Sequence, residues 1–227
     1  MIREWLLNKE LVKMFMVKDK NGVEVQLPKY VAKCTTVGSG NIFVGKAKAR
    51  FVKEADDTKV VLKSGSKESN QILVSSMPFG EAISLVAGAG NTVEVTVEGK
   101  DYLGQKMIEK ITLNAATAVA GKKAFKVITK VSTAEDATTD VSAKTTGIVG
   151  LEFAAVSKDV AINNGAVASN IAVTAAVRTR SATSGDPRGT VSLTSASAGD
   201  VIDIVYNVTD YVADDEGGLF GVPHYAG

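Results

Sequence analysis

Cysteine, histidine and tryptophan each occur once in this chain, and proline occurs only four times. A lone cysteine, Cys34, cannot form an internal disulfide, so cross-links do not hold the fold and a reducing compartment suits it. Cys34 lies in strand-like sequence with no histidine beside it, which reads as a buried structural thiol. With His224 as the only imidazole, a Ser–His–Asp triad or a multi-histidine metal site has little to draw on. The simplest expectation for His224 is a tail residue. Aromatic residues make up 6% of the chain, a thin supply for the stacking platforms that bind nucleic acids or sugars. No window reaches the ~20 apolar residues of a membrane span. Met1-Ile2-Arg3-Glu4-Trp5 lacks the apolar run of a signal peptide. Synthesis in a cytoplasm is expected, with neither membrane nor nucleic acid as partner.

What the chain does have is valine, alanine, threonine and glycine in abundance, with 45% hydrophobic residues spread along 227 positions. That mixture suits pleated, half-buried surfaces and is long enough to bury a core without staples. The net charge is +1, but it is unevenly placed. Residues 1–70 carry 14 Lys/Arg against 8 Asp/Glu, or +6; residues 181–227 carry one Arg against seven acids, or −6. Opposed ends of this kind complement each other between copies or meet two different partners; the plainer reading is solvated faces of one fold.

The stretch Thr92–Val131 is the clearest pattern. Val93, Val95 and Val97 alternate with Glu94, Thr96 and Glu98, which predicts a strand with one wet face. Lys106–Leu113 returns with Met107, Ile111 and Leu113 on one face. Ala124–Val131 predicts a third strand, with Phe125, Val127 and Val131 inward. Upstream, Val12–Val17 and Val23–Leu27 flank Asn21-Gly22 and predict a hairpin. Tyr30–Thr36, Asn41–Phe51, Lys59–Leu62 and Gln71–Ser75 read as further strands. Glu81–Val86 fits a short helix as well as a strand, and residues 132–146 read as a loop or weak edge strand. Gly147–Leu151 reads as a short buried segment. Ile171–Thr179, Thr190–Leu193 and Val201–Val208 complete the expected strands. The architecture predicted is mostly β, an antiparallel β-sandwich, immunoglobulin-like or related, over residues 71–227. Ahead of it stand an N-terminal arm and a β-hairpin region over residues 1–70, with polar Ser64–Asn70 as the boundary. The tail from Asp210 is acidic, then glycine-rich.

Candidate chemistry fails residue by residue. Gly40–Ala47 approaches a phosphate-binding loop, but Ala47 replaces the metal-contacting hydroxyl and β-prone sequence follows where a helix must start. Asp210, Asp214, Asp215 and Glu216 lack the spacing of a calcium loop. Lys122, Lys123, Lys126 and Lys130 form a short basic stripe without stacking aromatics beside it. No catalytic set, metal or cofactor is expected, and the chain does not read as an enzyme.

A resemblance supplies what the residues alone do not. Val93–Gln105, Glu109–Asn114, Gly121–Lys126 and Gly147–Leu151 resemble structural proteins of tailed bacteriophages. Ser184–Val191 and the closing Leu219–Pro223 are similar to the C-terminal part of the same group, the head decoration or cement proteins. The likeness spans residues 90–227. It implies a non-enzymatic virion protein, made in the host cytoplasm, that binds the outside of a capsid and bridges capsomers. Its implied partners are the phage major capsid protein and, as a dimer or trimer, further copies of itself. Trp5 and Leu6 in the arm, and Asp186 and Arg188 in a loop, are the expected contact residues; an ordinary Asp-Pro turn is the plainer reading of that loop. The alternatives are a phage tail-tube, adaptor or baseplate component, and a carbohydrate-binding β-sandwich module.

Overall fold

The fold was taken from a computed structural model that describes residues 16–18, 24–26, 30–37, 40–208 and 224–227, with side chains described from residue 46 onward. Every regular element among them is a β-strand. The first hairpin pairs β1 (Met16–Lys18) with β2 (Glu24–Gln26), a narrower pairing than expected but around the same Asn21-Gly22. β3 (Tyr30–Val37) and the long β4 (Gly40–Val52) follow, then β5 (Thr58–Leu62), β6 (Glu68–Ser69) and β7 (Leu73–Val74). Next come β8 (Glu81–Val86), β9 (Glu94–Lys100), β10 (Lys106–Thr112), β11 (Val119–Ala120) and β12 (Val127–Thr133). The chain continues with β13 (Val141–Gly150), β14 (Ala155–Asn163), β15 (Ala166–Val167) and β16 (Ala172–Thr174). It closes with β17 (Thr190–Ser192) and β18 (Val201–Val208).

Beyond the first hairpin, three antiparallel sheets account for these strands. One runs β10-β9-β12-β6 with β7 also on β12; the second runs β11-β8-β13-β17-β16 with β5 also on β13; the third runs β15-β14-β18-β4-β3. Two hydrophobic cores form between them. Val95, Val97, Met107 and Ile111 of the first sheet pack against Ile83, Leu85, Val141 and Ala143 of the second. Ala49, Phe51, Ile202 and Ile204 of the third sheet pack against Val149, Val191 and Leu193 of the second. β13 therefore serves both cores, and its pairing with β8 breaks register between Thr145 and Val149, where the strand changes course.

Several expectations need correction. The serine- and threonine-rich stretch within residues 132–146, expected as a loop or edge, supplies half of β13, a strand paired on both sides. It carries few large apolar groups, and Ala137, Val141 and Ala143 are the residues it places in the core. β8 settles the helix-or-strand ambiguity of residues 81–86. Its residues from Glu81 to Leu85 are all buried, so no alternation marks the strand. In β12 the inward residues are Ile128 and Val131, whereas Val127 is half-buried, because the pairing with β9 shifts register between Ile128 and Lys130. Across residue 70, β4 lies against β18 and β5 against β13. The near phosphate-binding stretch is simply part of β4.

One glycine explains how tightly the first sheet closes. Gly99, opposite Ile128 on one side and Met107 on the other, lets the Phe125 ring lie over β9. A methyl group there would overlap the Val127 carbonyl oxygen and come within 2.7 Å of the Phe125 ring. Gly99→Ala is expected to cost about 1–3 kcal/mol, as overpacking in a filled core does. Urea unfolding checks this through a lowered midpoint at unchanged slope.

Candidate functional site

The turn between β9 and β10 is where the ionisable residues gather. Asp101 opens it, and its Oδ1 accepts the backbone N–H groups of Leu103 at 2.9 Å and Gln105 at 2.8 Å. Gly104 reverses the chain at φ +82°, a conformation that side chains resist. This local capping aims Asp101 Oδ2 inward, where it meets the Arg188 guanidinium at 2.7 Å and His224 Nε2 at 3.2 Å. The side chains of Arg188, Asp101 and His224 are 3%, 1% and 0% exposed. Arg188 also stacks over Tyr102, 4.9 Å from the ring centre, and the Tyr102 hydroxyl donates to the Glu152 carbonyl. Nε2 of His224 lies 3.1 Å from Arg188 as well. With a proton on Nε2 the ring donates to Asp101; without one it accepts from Arg188, because a guanidinium only donates.

A second carboxylate holds the loop that carries Arg188. Asp186 accepts the backbone N–H of Arg188 at 2.8 Å and that of Ala124 at 3.0 Å. Next to it, Glu109 accepts the N–H groups of Lys122 at 2.6 Å and Lys123 at 3.3 Å. Lys123 is buried too, with Nζ donating to the carbonyls of Ser181 at 2.7 Å and Ile108 at 3.0 Å. Lys123 Nζ also stands 5.9 Å from the centre of the Tyr225 ring. The C-terminal residues extend the edge of β10, whose Ile108 N–H donates to the Tyr225 carbonyl at 2.9 Å.

Burial and pairing pull the carboxyls apart. For Asp101 burial acts to raise the carboxyl, but the His224 hydrogen bond, the Arg188 charge and the Gln105 N–H outweigh it and hold the group at about 2. Burial wins at Glu109 and pushes it up to about 7 against the opposing N–H groups of Lys122 and Lys123. Burial also raises Asp186 and lowers the Lys123 ammonium.

This geometry joins three distant parts of the chain. Asp186 and Arg188, expected on a contact loop, are 5% and 3% exposed. The physical reason is that backbone N–H groups and a buried carboxylate draw both inward. His224, expected as a tail residue, is instead enclosed. Trp5 and Leu6 lie outside the described residues, as do Asp210, Asp214, Asp215 and Glu216. The basic stripe is taken up within the chain: Lys122 bonds the Thr183 carbonyl, Lys126 those of Ser75 and Met77, and Lys130 pairs with Glu68. Among the described residues, no group of three or more His, Cys, Asp or Glu is placed to hold a metal ion. No helix among them is long and apolar enough to cross a membrane.

No protein-family model matches the chain, and comparison with curated proteins and with solved structures also returns no match.

One signal for the buried cluster was present in the sequence. Period two from Met107 through Ile111 and Leu113 places Glu109 on the same inward face, and it is 2% exposed. Asp101, Lys123 and Tyr102 carry no such mark, since the turn that aims the first and the loop that covers the second depend on tertiary packing.

Proposed function

We propose that this chain is a non-enzymatic virion structural protein that binds the outside of a phage capsid and stabilises it by bridging capsomers. The observation that supports this best is the outer face of the sheet formed by β15, β14, β18 and β4. Val52 and Val167 are 52% and 79% exposed there. Half-buried Val160, Ile162, Val201 and Val205 lie between them along the same registers. Several polar side chains of that face are paired, Arg50 donating twice to Asp203, Lys46 to Asp159 and Asn207 to Ser157, while Lys48 stands exposed opposite Val205. A face that mixes exposed valines with ion pairs formed within it suits burial against a second protein surface. The inward commitment of Asp101, Arg188, Asp186 and His224 fits a chain whose task is mechanical. The resemblance of residues 90–227 to phage decoration proteins supplies the partner. Contacts of a standard size, ~1,600 Å², repeated over a shell add up to large stabilisation without any tight single site.

The test is binding of purified protein to capsids stripped of accessory proteins, followed by heat or low-salt challenge. Decorated capsids are expected to survive conditions that open bare ones. Val52→Glu combined with Val167→Glu is expected to abolish binding while leaving the unfolding midpoint of the free protein unchanged. Failure of the parent protein to bind would sink the reading.

A further inference from the structure

We propose that the cleft beside Glu81 binds a small primary alkylammonium ion, its charge at the Glu81 carboxylate and its carbon tail between the first two sheets. This goes beyond the capsid reading and does not depend on it. Two cavities meet at Glu81. One, of about 160 Å³, is mostly polar and lies between the β4–β5 loop, at Lys53 and Glu54, and the segment after β7, at Ser75 and Ser76. The other, of about 80 Å³, is walled by Leu73, Ile83, Phe125 and Ile128, the last three of them buried core residues. Val74, Thr145 and Glu81 border both. A polar entrance beside an apolar chamber, with one carboxylate between them, fits a guest that has a charged head and a short hydrocarbon tail.

The sign of the head follows from the charges around the cleft. Glu81 is 6% exposed, and its Oε1 accepts the Gly147 N–H at 2.7 Å. Buried Asp101 has Arg188 as its counter-ion, whereas the cation that acts on Glu81, Lys53, donates to Asp56 and to the Glu54 carbonyl, both at 2.9 Å. Burial therefore raises the Glu81 carboxyl, and a cation brought beside it favours the charged form. The other ammonium groups at the rim are paired as well, Lys144 with Asp56 at 2.9 Å and Lys59 with Asp57 at 3.0 Å. Three ammonium groups, those of Lys53, Lys59 and Lys144, thus face four carboxylates, those of Glu54, Asp56, Asp57 and Glu81. One negative charge is left over when Glu81 is ionised. A guest with a single positive charge balances it, while a carboxylate or phosphate adds to the excess. The apolar chamber sets the tail. At about 80 Å³ it is roughly half the ~150 Å³ of a dry cavity that takes up benzene, which limits the tail to about three or four carbons.

The experiment titrates isotope-labelled protein with n-butylammonium chloride and, at matched ionic strength, with sodium butyrate, read by amide NMR. The amides of Glu81, Ile83, Phe125 and Thr145 are expected to shift with the ammonium and not with the carboxylate. From methyl- to n-propylammonium the Kd is expected to fall about four-fold per methylene, and to stop falling past n-butyl. Nα-acetyl-lysine methylamide carries the same head and tail on a peptide unit. Binding weaker than that of n-butylammonium assigns the cleft to the free ion; equal binding overturns that choice in favour of a lysine side chain. Glu81→Gln keeps an acceptor for the Gly147 N–H, and is expected to weaken n-butylammonium binding on the order of ten-fold or more while leaving the rest of the amide spectrum in place. No shift at ~10 mM n-butylammonium, equal shifts with butyrate, or a folded Glu81→Gln protein that binds as its parent does would each overturn the proposal. The comparison of the two salts uses the parent protein alone, so it stands whether or not the variant folds. None of these measurements involves a capsid.

Discussion

Arg188→Ala is expected to lower the free energy of unfolding by about 3–5 kcal/mol, the range for breaking a buried ion pair by removing one partner. The change leaves the Asp101 carboxylate in place at 1% exposure without its guanidinium. It also uncovers Tyr102 and removes a neighbour of His224. Asp101 keeps its bonds to Leu103 and Gln105, so the turn survives while the charge inside it is stranded. Removing the charge as well is expected to relieve much of the loss. Asp101→Asn combined with Arg188→Met should be milder than Arg188→Ala alone, because an amide preserves acceptors for the turn and a thioether fills the space. The contrast within the same molecule is Arg50–Asp203, equally well formed at 2.6 Å but 70% and 41% exposed. Removing Arg50 is expected to change stability little, since solvent screens such pairs. Urea unfolding of the four proteins decides it. An Arg188→Ala protein as stable as its parent would show that the buried network holds nothing together.

Between about pH 5 and pH 7 the protein is expected to lose stability as pH rises, and Glu109 is the main cause. Burial pushes its carboxyl from an ordinary 4.5 to about 7. In that window the folded chain keeps a proton that the unfolded chain has released, so folding is linked to proton uptake. The contribution is whole below 4.5 and gone once pH has risen past about 7. A displacement of this size corresponds to about 3 kcal/mol. Asp186, raised by burial, acts in the same sense. Asp101 acts oppositely: held at about 2 against 3.8, it stabilises above 3.8 and that contribution disappears as pH falls through 2. The unfolding midpoint is therefore expected to peak in mildly acidic solution and decline on both sides. Glu109→Gln keeps one acceptor oxygen, enough for the 2.6 Å Lys122 N–H but not for that of Lys123 as well, and cannot titrate, so its midpoint should be lower but nearly flat over the neutral limb. A parent whose midpoint climbs from pH 5 to pH 7 would contradict this assignment.

Strands with one wet face were the readable ones. β9 and β10 alternate, and Val95, Val97, Met107 and Ile111 lie inward as their spacing says. β8 was ambiguous for the opposite reason, since burial on both faces erases the alternation. β13 was hidden by its serines, threonines and alanines, which look like loop composition until a neighbouring sheet packs over them. The charged cluster was the hardest to see. The sequence marks Asp186 and Arg188 as one loop and His224 as a tail residue, but that loop, the Asp101 turn and the chain end are brought together only by the fold. Lys123 looked like part of a solvated stripe, and nothing local marks it as the member that turns inward. Glu109 is legible by parity alone, against the usual rule that charge marks water.

β13 joins two bodies of packed side chains through one ten-residue strand. Val141 and Ala143 belong to one and Val149 to the other. The sheet of β4 and β18 packs on the end of that strand that carries Val149, and the first sheet packs on the end that carries Val141 and Ala143. The antiparallel neighbours of β13, which are β5, β8 and β17, resist shear, each at a different point along it. Such a strand acts as a tie-rod: strain arriving at one end of the molecule is shared with the other.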